Sequence, residues 1–158
     1  MTQTSVPNNL TNNGAVSLRK VTSGTLRSVL NLKVAPHQEN FVSPNAVSIA
    51  EAYFEEKAWF RAVYAGETPI GFVMTFEDPE KSFYYLWRYM IAAEHQGKGY
   101  GAQALQLVID HIKSQSNAAE MVLSVVPAEG GAIPFYKKFG FADTGEVDEG
   151  EMVFKLVF

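Results

Sequence analysis

Residues 96–102 read Gln-Gly-Lys-Gly-Tyr-Gly-Ala. They follow a β-rich run, Phe83–Ile91, and from Gly101 onward the period of the sequence turns helical. Ala104, Leu105, Val108, Ile109 and Ile112 fall on one face, with Gln103, Gln106, Asp110 and Lys113 on the other, as an amphipathic helix requires. Glycines at such a junction let backbone N–H groups approach a ligand closely. With the unpaired N–H groups of the helix's first turn they form an anion site, and a pyrophosphate is its natural guest. The plainer reading is a turn that needs positive φ at one or two glycines. Three glycines at alternate positions, with a helix directly after, favour the phosphate. Gly97, Gly99 and Ala102 also satisfy the dinucleotide pattern G-x-G-x-x-A. That fingerprint belongs on the first βαβ unit of a parallel sheet, whereas this one lies past mid-chain.

Upstream of the loop, Trp59–Tyr64, Thr68–Phe76 and Phe83–Ile91 are β-rich runs joined by Ala65-Gly66-Glu67 and Glu77-Asp78-Pro79-Glu80. Short polar connections of that kind predict an antiparallel meander. Farther back, Val16–Val21 reads as a first strand, and Thr22 or Ser23 is placed to cap a helix carrying Leu26, Val29 and Leu30. Ser43-Pro44 starts a second helix, expected to bury Val47, Ala50 and Tyr53 or Phe54. Downstream, Met121–Val126 is a buried strand, and Gly130 to Lys138 a helix ended by Gly140. Glu151–Phe158 alternates, with Met152, Phe154, Leu156 and Phe158 on one side. The order β-α-α-β-β-β-α-β-α-β predicts an α/β fold with a mixed sheet. Residues 1–15, rich in Asn and Thr, are expected to form a flexible tail, and 16–158 a single domain.

Composition narrows the functional classes. Of 158 residues, 47% are hydrophobic and 19% charged, enough to bury one core. A balance of 13 basic against 17 acidic residues argues against a general nucleic-acid binder. The chain has no cysteine, which excludes disulfides, thiolate metal sites and a cysteine nucleophile, and fits a reducing, cytoplasmic setting. No apolar run approaches the roughly 20 residues that cross a bilayer.

Two blocks carry a resemblance. Gln96, Gly99 and Gly101 match the Q/R-x-x-G-x-G/A motif that the GNAT superfamily of N-acetyltransferases places at a strand-to-helix junction. Ala132-Ile-Pro-Phe-Tyr136-Lys-Lys-Phe-Gly140-Phe141 resembles that superfamily's second block, an Ala followed by a Tyr in a short helix ending in Gly-Phe. The resemblance spans about residues 16 to 158 and includes the element order. It implies a mixed, mostly antiparallel twisted sheet flanked by helices, and acetyl-CoA as donor. It also implies that backbone groups of Tyr89, Met90 and Ile91 hold the pantetheine arm and polarise the thioester carbonyl. The motif residue Gln96 and the loop Gly97, Lys98, Gly99, Tyr100, Gly101 and Ala102 would form the cofactor site, the loop cradling the pyrophosphate. Where many members carry an Asn three residues before the motif Ala, this chain has Glu129.

Acetyl transfer to an amine needs a neutral nucleophile, a polarised carbonyl and a proton for the departing thiolate. Direct attack in a ternary complex is the simplest route. By resemblance, Tyr136 is the general acid. Three histidines, His37, His95 and His111, stay unassigned as bases. Glu39, in the loop between the first two helices, is the preferred carboxylate candidate, acting through water. Asp143, Glu146, Asp148, Glu149 and Glu151 place five acids in nine residues. They read either as a solvated hairpin between the last two strands or as an anionic rim that draws a cationic acceptor. The loop 34–42, the strand Leu86-Trp87-Arg88-Tyr89 and this acidic ending resemble bacterial polyamine or diamine acetyltransferases. Trp87 stands at or beside a position where those enzymes commonly carry an acid, and Glu149 falls where an acid can contact the acceptor. Strand alternation would put Tyr85 and Trp87 on one face and Tyr84, Leu86 and Arg88 on the other. An aminoglycoside or peptide amine is an alternative acceptor, and a non-catalytic acyl-CoA-binding module an alternative class. The sequence leaves monomer and homodimer open, and the alternating last strand offers an intersubunit edge of the kind a dimeric relative would use.

Overall fold

The helical stripe that follows the glycine loop organises one side of the molecule. In a computed structural model that describes residues 14–158, helix α3 (Tyr100–Lys113) buries Ala104, Leu105, Val108, Ile109 and Ile112, the five positions the spacing predicts. Each large aliphatic side chain buried there contributes about 1.5–3 kcal/mol. The surface it covers is a seven-stranded sheet ordered β1-β2-β3-β4-β5-β7-β6. The strands are β1 (Val16–Arg19), β2 (Ala58–Ala65), β3 (Thr68–Asp78), β4 (Phe83–Ile91), β5 (Glu120–Val125), β6 (Ala142–Asp148) and β7 (Glu151–Val157). β2, β3 and β4 make the expected antiparallel meander, and β1 pairs antiparallel with β2 at its edge. β4 and β5, joined through α3, are the parallel pair. Met121, Leu123, Tyr84 and Phe154 complete the core on the α3 side. Helix α4 (Ile133–Lys138) brings Tyr136 to that same core, and Gly140, at φ 96°, ends the turn that follows.

The opposite face carries a second core of Val29, Phe72, Met74 and Met90, covered by α1 (Leu26–Leu30) and α2 (Asn45–Tyr53). Helix α2 is rolled relative to the expectation. Val47, Tyr53 and Phe54 are exposed, while Asn45 and Ser48 are buried and Ile49 and Ala52 pack on the core. The inward stripe 45, 48, 49, 52 has proper helical spacing but begins with two polar residues. Asn45 is held inside because its Nδ2 donates to the Val29 carbonyl at 2.9 Å, tying α2 to α1.

Two further expectations change. The acidic stretch is itself a strand: every residue of β6 is exposed, and it pairs only with β7. A charged outer strand resists pairing with another chain. The two hairpin residues that join β6 to β7, Glu149 and Gly150, have φ of 48° and 83°, the turn geometry that matches strand twist. β7 therefore lies between β5 and β6 and is not free to serve as the intersubunit edge. The expected tail falls outside the described residues except for Gly14 and Ala15, and the Ala15 carbonyl accepts the Gly66 N–H at 3.0 Å.

Candidate active site

The sheet opens between β4 and β5. The two strands pair at one register position only, Tyr85 with Val122, and then part. A bulge prepares the opening: Leu86 faces Thr75 and Arg88 faces Met74, so Trp87 is an extra residue with no partner on β3. The bulge shifts the alternation of side chains. Tyr84 and Leu86 point to the α3 core, but after Trp87 it is Tyr89 and Ile91 that pack there. Arg88 instead reaches α2, where its Nη2 donates to Glu51 at 3.2 Å. The expectation that Arg88 shares a face with Tyr84 and Leu86 is thus overturned by one inserted residue.

Backbone polarity follows from the same register. The Ala92 N–H donates to the Ile70 carbonyl at 2.8 Å, so the alternate residues between it and the bulge, Met90 included, turn their peptide groups toward β3. Tyr89 and Ile91 turn theirs toward the gap. Of the three backbone positions expected to hold the pantetheine arm, Tyr89 and Ile91 face the open side and Met90 does not. The Ile91 carbonyl accepts from Gln96 Nε2 at 2.8 Å. Gln96 also exchanges hydrogen bonds with Gln38, so its amide is committed to fixing the loop 34–44 against the end of β4.

The glycine loop has the geometry of an anion site. Gly97 and Gly99 have φ of 76° and 82°, and a Cβ on either would meet nothing within 4 Å. Their requirement is the left-handed backbone, which leaves the loop's surface open. Gly99 caps α3 without any side-chain hydrogen bond, so the first-turn N–H groups of Tyr100, Gly101 and Ala102 stay available. Lys98 is exposed beside them. Open N–H groups at a 14-residue helix and a free strand edge next to it fit a pyrophosphate followed by an extended amide-bearing arm.

A cavity of about 910 Å³ fills the gap and reaches both faces of the sheet. From the α3 side it is lined by Tyr136, Phe135 and Gly101. Tyr136 is buried, its ring set edge-on to Phe135 and Phe141 at 5.2 and 5.8 Å, and burial pushes its phenol well above the usual range. The neighbouring Tyr89 is raised too, by burial first and by Tyr136 second, but its hydroxyl donates to the Gly101 carbonyl. The Tyr136 hydroxyl has no such partner among the described residues, so it is the free phenol of the two.

From the other side the lining includes Glu39, Trp87, Arg88 and Glu151, while Glu129 lines the cavity from the loop between β5 and α4. Glu39 is exposed just after the turn Pro36–Gln38, and Trp87 is half-buried over the second core. Glu149 does not reach the cavity, because it sits at the exposed tip of the β6–β7 turn. Glu151, two residues on, lies on β7 and lines it. Glu151 Oε2 accepts from Ser124 Oγ at 2.6 Å, and Tyr85 Oη lies 2.5 Å from the same Oγ. Neither Ser124 nor this linkage was singled out from sequence; the signal lay in the polar Ser124 within the apolar run Met121–Val126. Of the histidines, His37 lines the cavity. His95 pairs with its neighbour Glu94, and His111 lies under Trp59 with its Nε2 2.7 Å from Glu77.

A sheet that parts beside an open helix N-terminus suits an enzyme that takes its acyl group from acyl-CoA. Residues 26–141 match the Acetyltransferase (GNAT) family, and the chain belongs to that family. It is an N-acetyltransferase with acetyl-CoA as co-substrate. It is 28% identical over 149 residues to the spermine/spermidine N(1)-acetyltransferase of Bacillus subtilis (strain 168), covering 88% of this chain and 96% of that one. The fold is similar to spermidine N-acetyltransferase from Vibrio cholerae in complex with CoA and spermine, with TM-score 0.72, 20% identity, and 90% and 95% of the two chains covered. It is also similar to Arabidopsis thaliana Naa50 in complex with a bisubstrate analogue, CoA-Ac-MVNAL, with TM-score 0.64, 26% identity, and 90% and 99% covered. Among the described residues, no helix is long and apolar enough to cross a membrane.

Proposed function

We propose that the acceptor is a small cationic amine of the polyamine type, and that the acetyl group passes to it by direct attack in a ternary complex. The observation that carries this reading is the acceptor-side lining. Glu39 and Glu151 line the same cavity as the aromatic rings of Tyr85 and Trp87, a setting that favours a flexible cation with apolar spacers. The relatedness to a spermine/spermidine acetyltransferase supports it.

Acetyl-CoA supplies the acetyl group as a thioester. The chain's own part is to bind, orient and move protons. The open N–H groups from Gly97 to Ala102 hold the pyrophosphate, and the strand edge at Tyr89 and Ile91 aligns the arm. Trp87, the bulged residue, and Glu39 border the acceptor. Tyr136, with a phenol kept protonated by burial and no hydrogen-bond partner among the described residues, gives its proton to the departing sulfur.

The test is thiol release with acetyl-CoA and a panel of spermidine, spermine, a short diamine, an aminoglycoside and a lysine-bearing peptide. Saturable turnover concentrated on the polyamines supports the reading, and preference for the peptide overturns it. A peptide amine is the second reading because Arg88 lines the cavity and its buried Nε has no hydrogen-bond partner among the described residues. That donor suits an acceptor carrying a carbonyl or carboxylate.

A further inference from the structure

We propose that Tyr85, Ser124 and Glu151 form a proton relay that deprotonates the acceptor's ammonium group. The inference rests on amine acetylation at this cavity and holds whichever amine is the acceptor.

The three residues come from different strands but share one face of the sheet. Met121 and Leu123 point to the α3 core, so Ser124 points away from it; the same alternation turns Tyr85 away from Tyr84, and Glu151 away from Met152. All three line the cavity on the face opposite Tyr136. The direction of the hydrogen bonds follows from chemistry. A carboxylate only accepts, so the single Ser124 hydroxyl proton goes to Glu151 Oε2 at 2.6 Å. Ser124 Oγ is then the acceptor for the Tyr85 hydroxyl at 2.5 Å. Both protons of the chain therefore point from the cavity toward Glu151, which leaves the lone pairs of the Tyr85 oxygen for an N–H donor in the cavity.

An amine with an ordinary basicity enters as an ammonium ion and cannot attack a carbonyl until it loses a proton. An ammonium N–H donating to Tyr85 Oη transfers that proton to the oxygen. The Tyr85 proton passes to Ser124 Oγ, and the Ser124 proton to the Glu151 carboxylate. One N–H bond is broken, one O–H bond is formed on Glu151, and Tyr85 and Ser124 end as they began. The amine is left neutral with its lone pair free, and Glu151 returns the proton to solvent. In this scheme Tyr85 is the catalytic residue that touches the acceptor, while Ser124 and Glu151 act through it.

The experiment measures kcat/KM against two primary amines at pH 7, one strongly basic and one weakly basic fluorinated alkylamine already neutral at that pH. Glu151→Gln and Ser124→Ala are compared with the unaltered enzyme, and a thermal shift on adding acetyl-CoA verifies that each variant is folded. If one variant fails to fold, the other still decides the question. With the basic amine each variant should lose on the order of 10²-fold, a typical contribution of general-base catalysis. With the weakly basic amine the loss should nearly vanish, and with the basic amine activity should recover as pH rises toward the amine's own pKa. An equal loss with both amines, or no loss with either, overturns the relay. Choosing acceptors by basicity keeps this result separate from the polyamine question, which the first panel answers.

Discussion

Gln38 and Gln96 face each other across 58 positions of sequence and exchange amide hydrogen bonds at 2.8 and 3.2 Å. Gln96 belongs to the glycine-loop motif, while Gln38 belongs to the loop 34–44 that lines the cavity. Their pairing joins the two halves of the site, and Gln96 Nε2 anchors it to the Ile91 carbonyl at the end of β4. Replacing Gln38 with Ala breaks the joint without touching the glycine loop. Each lost hydrogen bond is worth about 0.5–1.5 kcal/mol, so KM for the amine should rise by roughly tenfold. The affinity for acetyl-CoA, measured by calorimetry, should change little. A rise confined to the acetyl-CoA constant would show that the loop does not serve the acceptor.

Tyr136→Phe removes the free phenol while keeping the ring that packs against Phe135 and Phe141. The expected result is a fall in kcat of about 10²–10⁴-fold, the range of a general acid, with acetyl-CoA still raising Tm. Full activity in this variant would remove Tyr136 from the chemistry.

Gly99→Ala tests the anion site through the backbone alone. A Cβ there meets no neighbour, so any effect comes from holding Ala at φ 82°. That conformation costs about 1–2 kcal/mol for a residue other than glycine. Because relief of the strain reshapes the loop, the Kd for acetyl-CoA should weaken by about tenfold, and so should that of Gly97→Ala. Unchanged Kd values in both variants would place the pyrophosphate elsewhere.

A stability prediction comes from the far end of β3. Lys57 Nζ donates to Asp78 Oδ2 at 2.6 Å, which holds the Asp78 carboxyl below its usual range and raises Lys57. Asp78 contributes stability above its unfolded pKa of about 3.9, and loses it as pH falls through the lower folded value. Lys57 contributes below about 10.4, and loses it as pH rises through the higher folded value. The Tm difference between the unaltered chain and Asp78→Asn should therefore be flat across neutral pH and shrink at both extremes. A difference that varied between pH 6 and pH 9 would point to some other group.

How much of this was legible from sequence depended on whether a local pattern carried the information. Helix α3 was legible because its five inward residues are all apolar, and the glycine loop because Gly97 and Gly99 adopt conformations that other residues resist. Helix α2 was misread because its inward stripe starts with Asn45 and Ser48, whose burial depends on the Val29 carbonyl of another helix. The bulge at Trp87 is a property of pairing with β3 and leaves no mark in a single strand, yet it decides which way Arg88 points. The acidic ending is legible as a group, but the sequence does not separate Glu149 from Glu151, because only the two-residue turn sets one at the tip and the other on the strand. Ser124 gained its place from partners 39 and 27 positions away.

The parting of β4 from β5 has one more consequence. A sheet is ordinarily a wall, and this one has a doorway cut through it, with Tyr136 on one side and Glu151 on the other. In the proposed ternary complex the donor would enter from the Tyr136 side and the amine from the Glu151 side, so neither would have to leave before the other arrives.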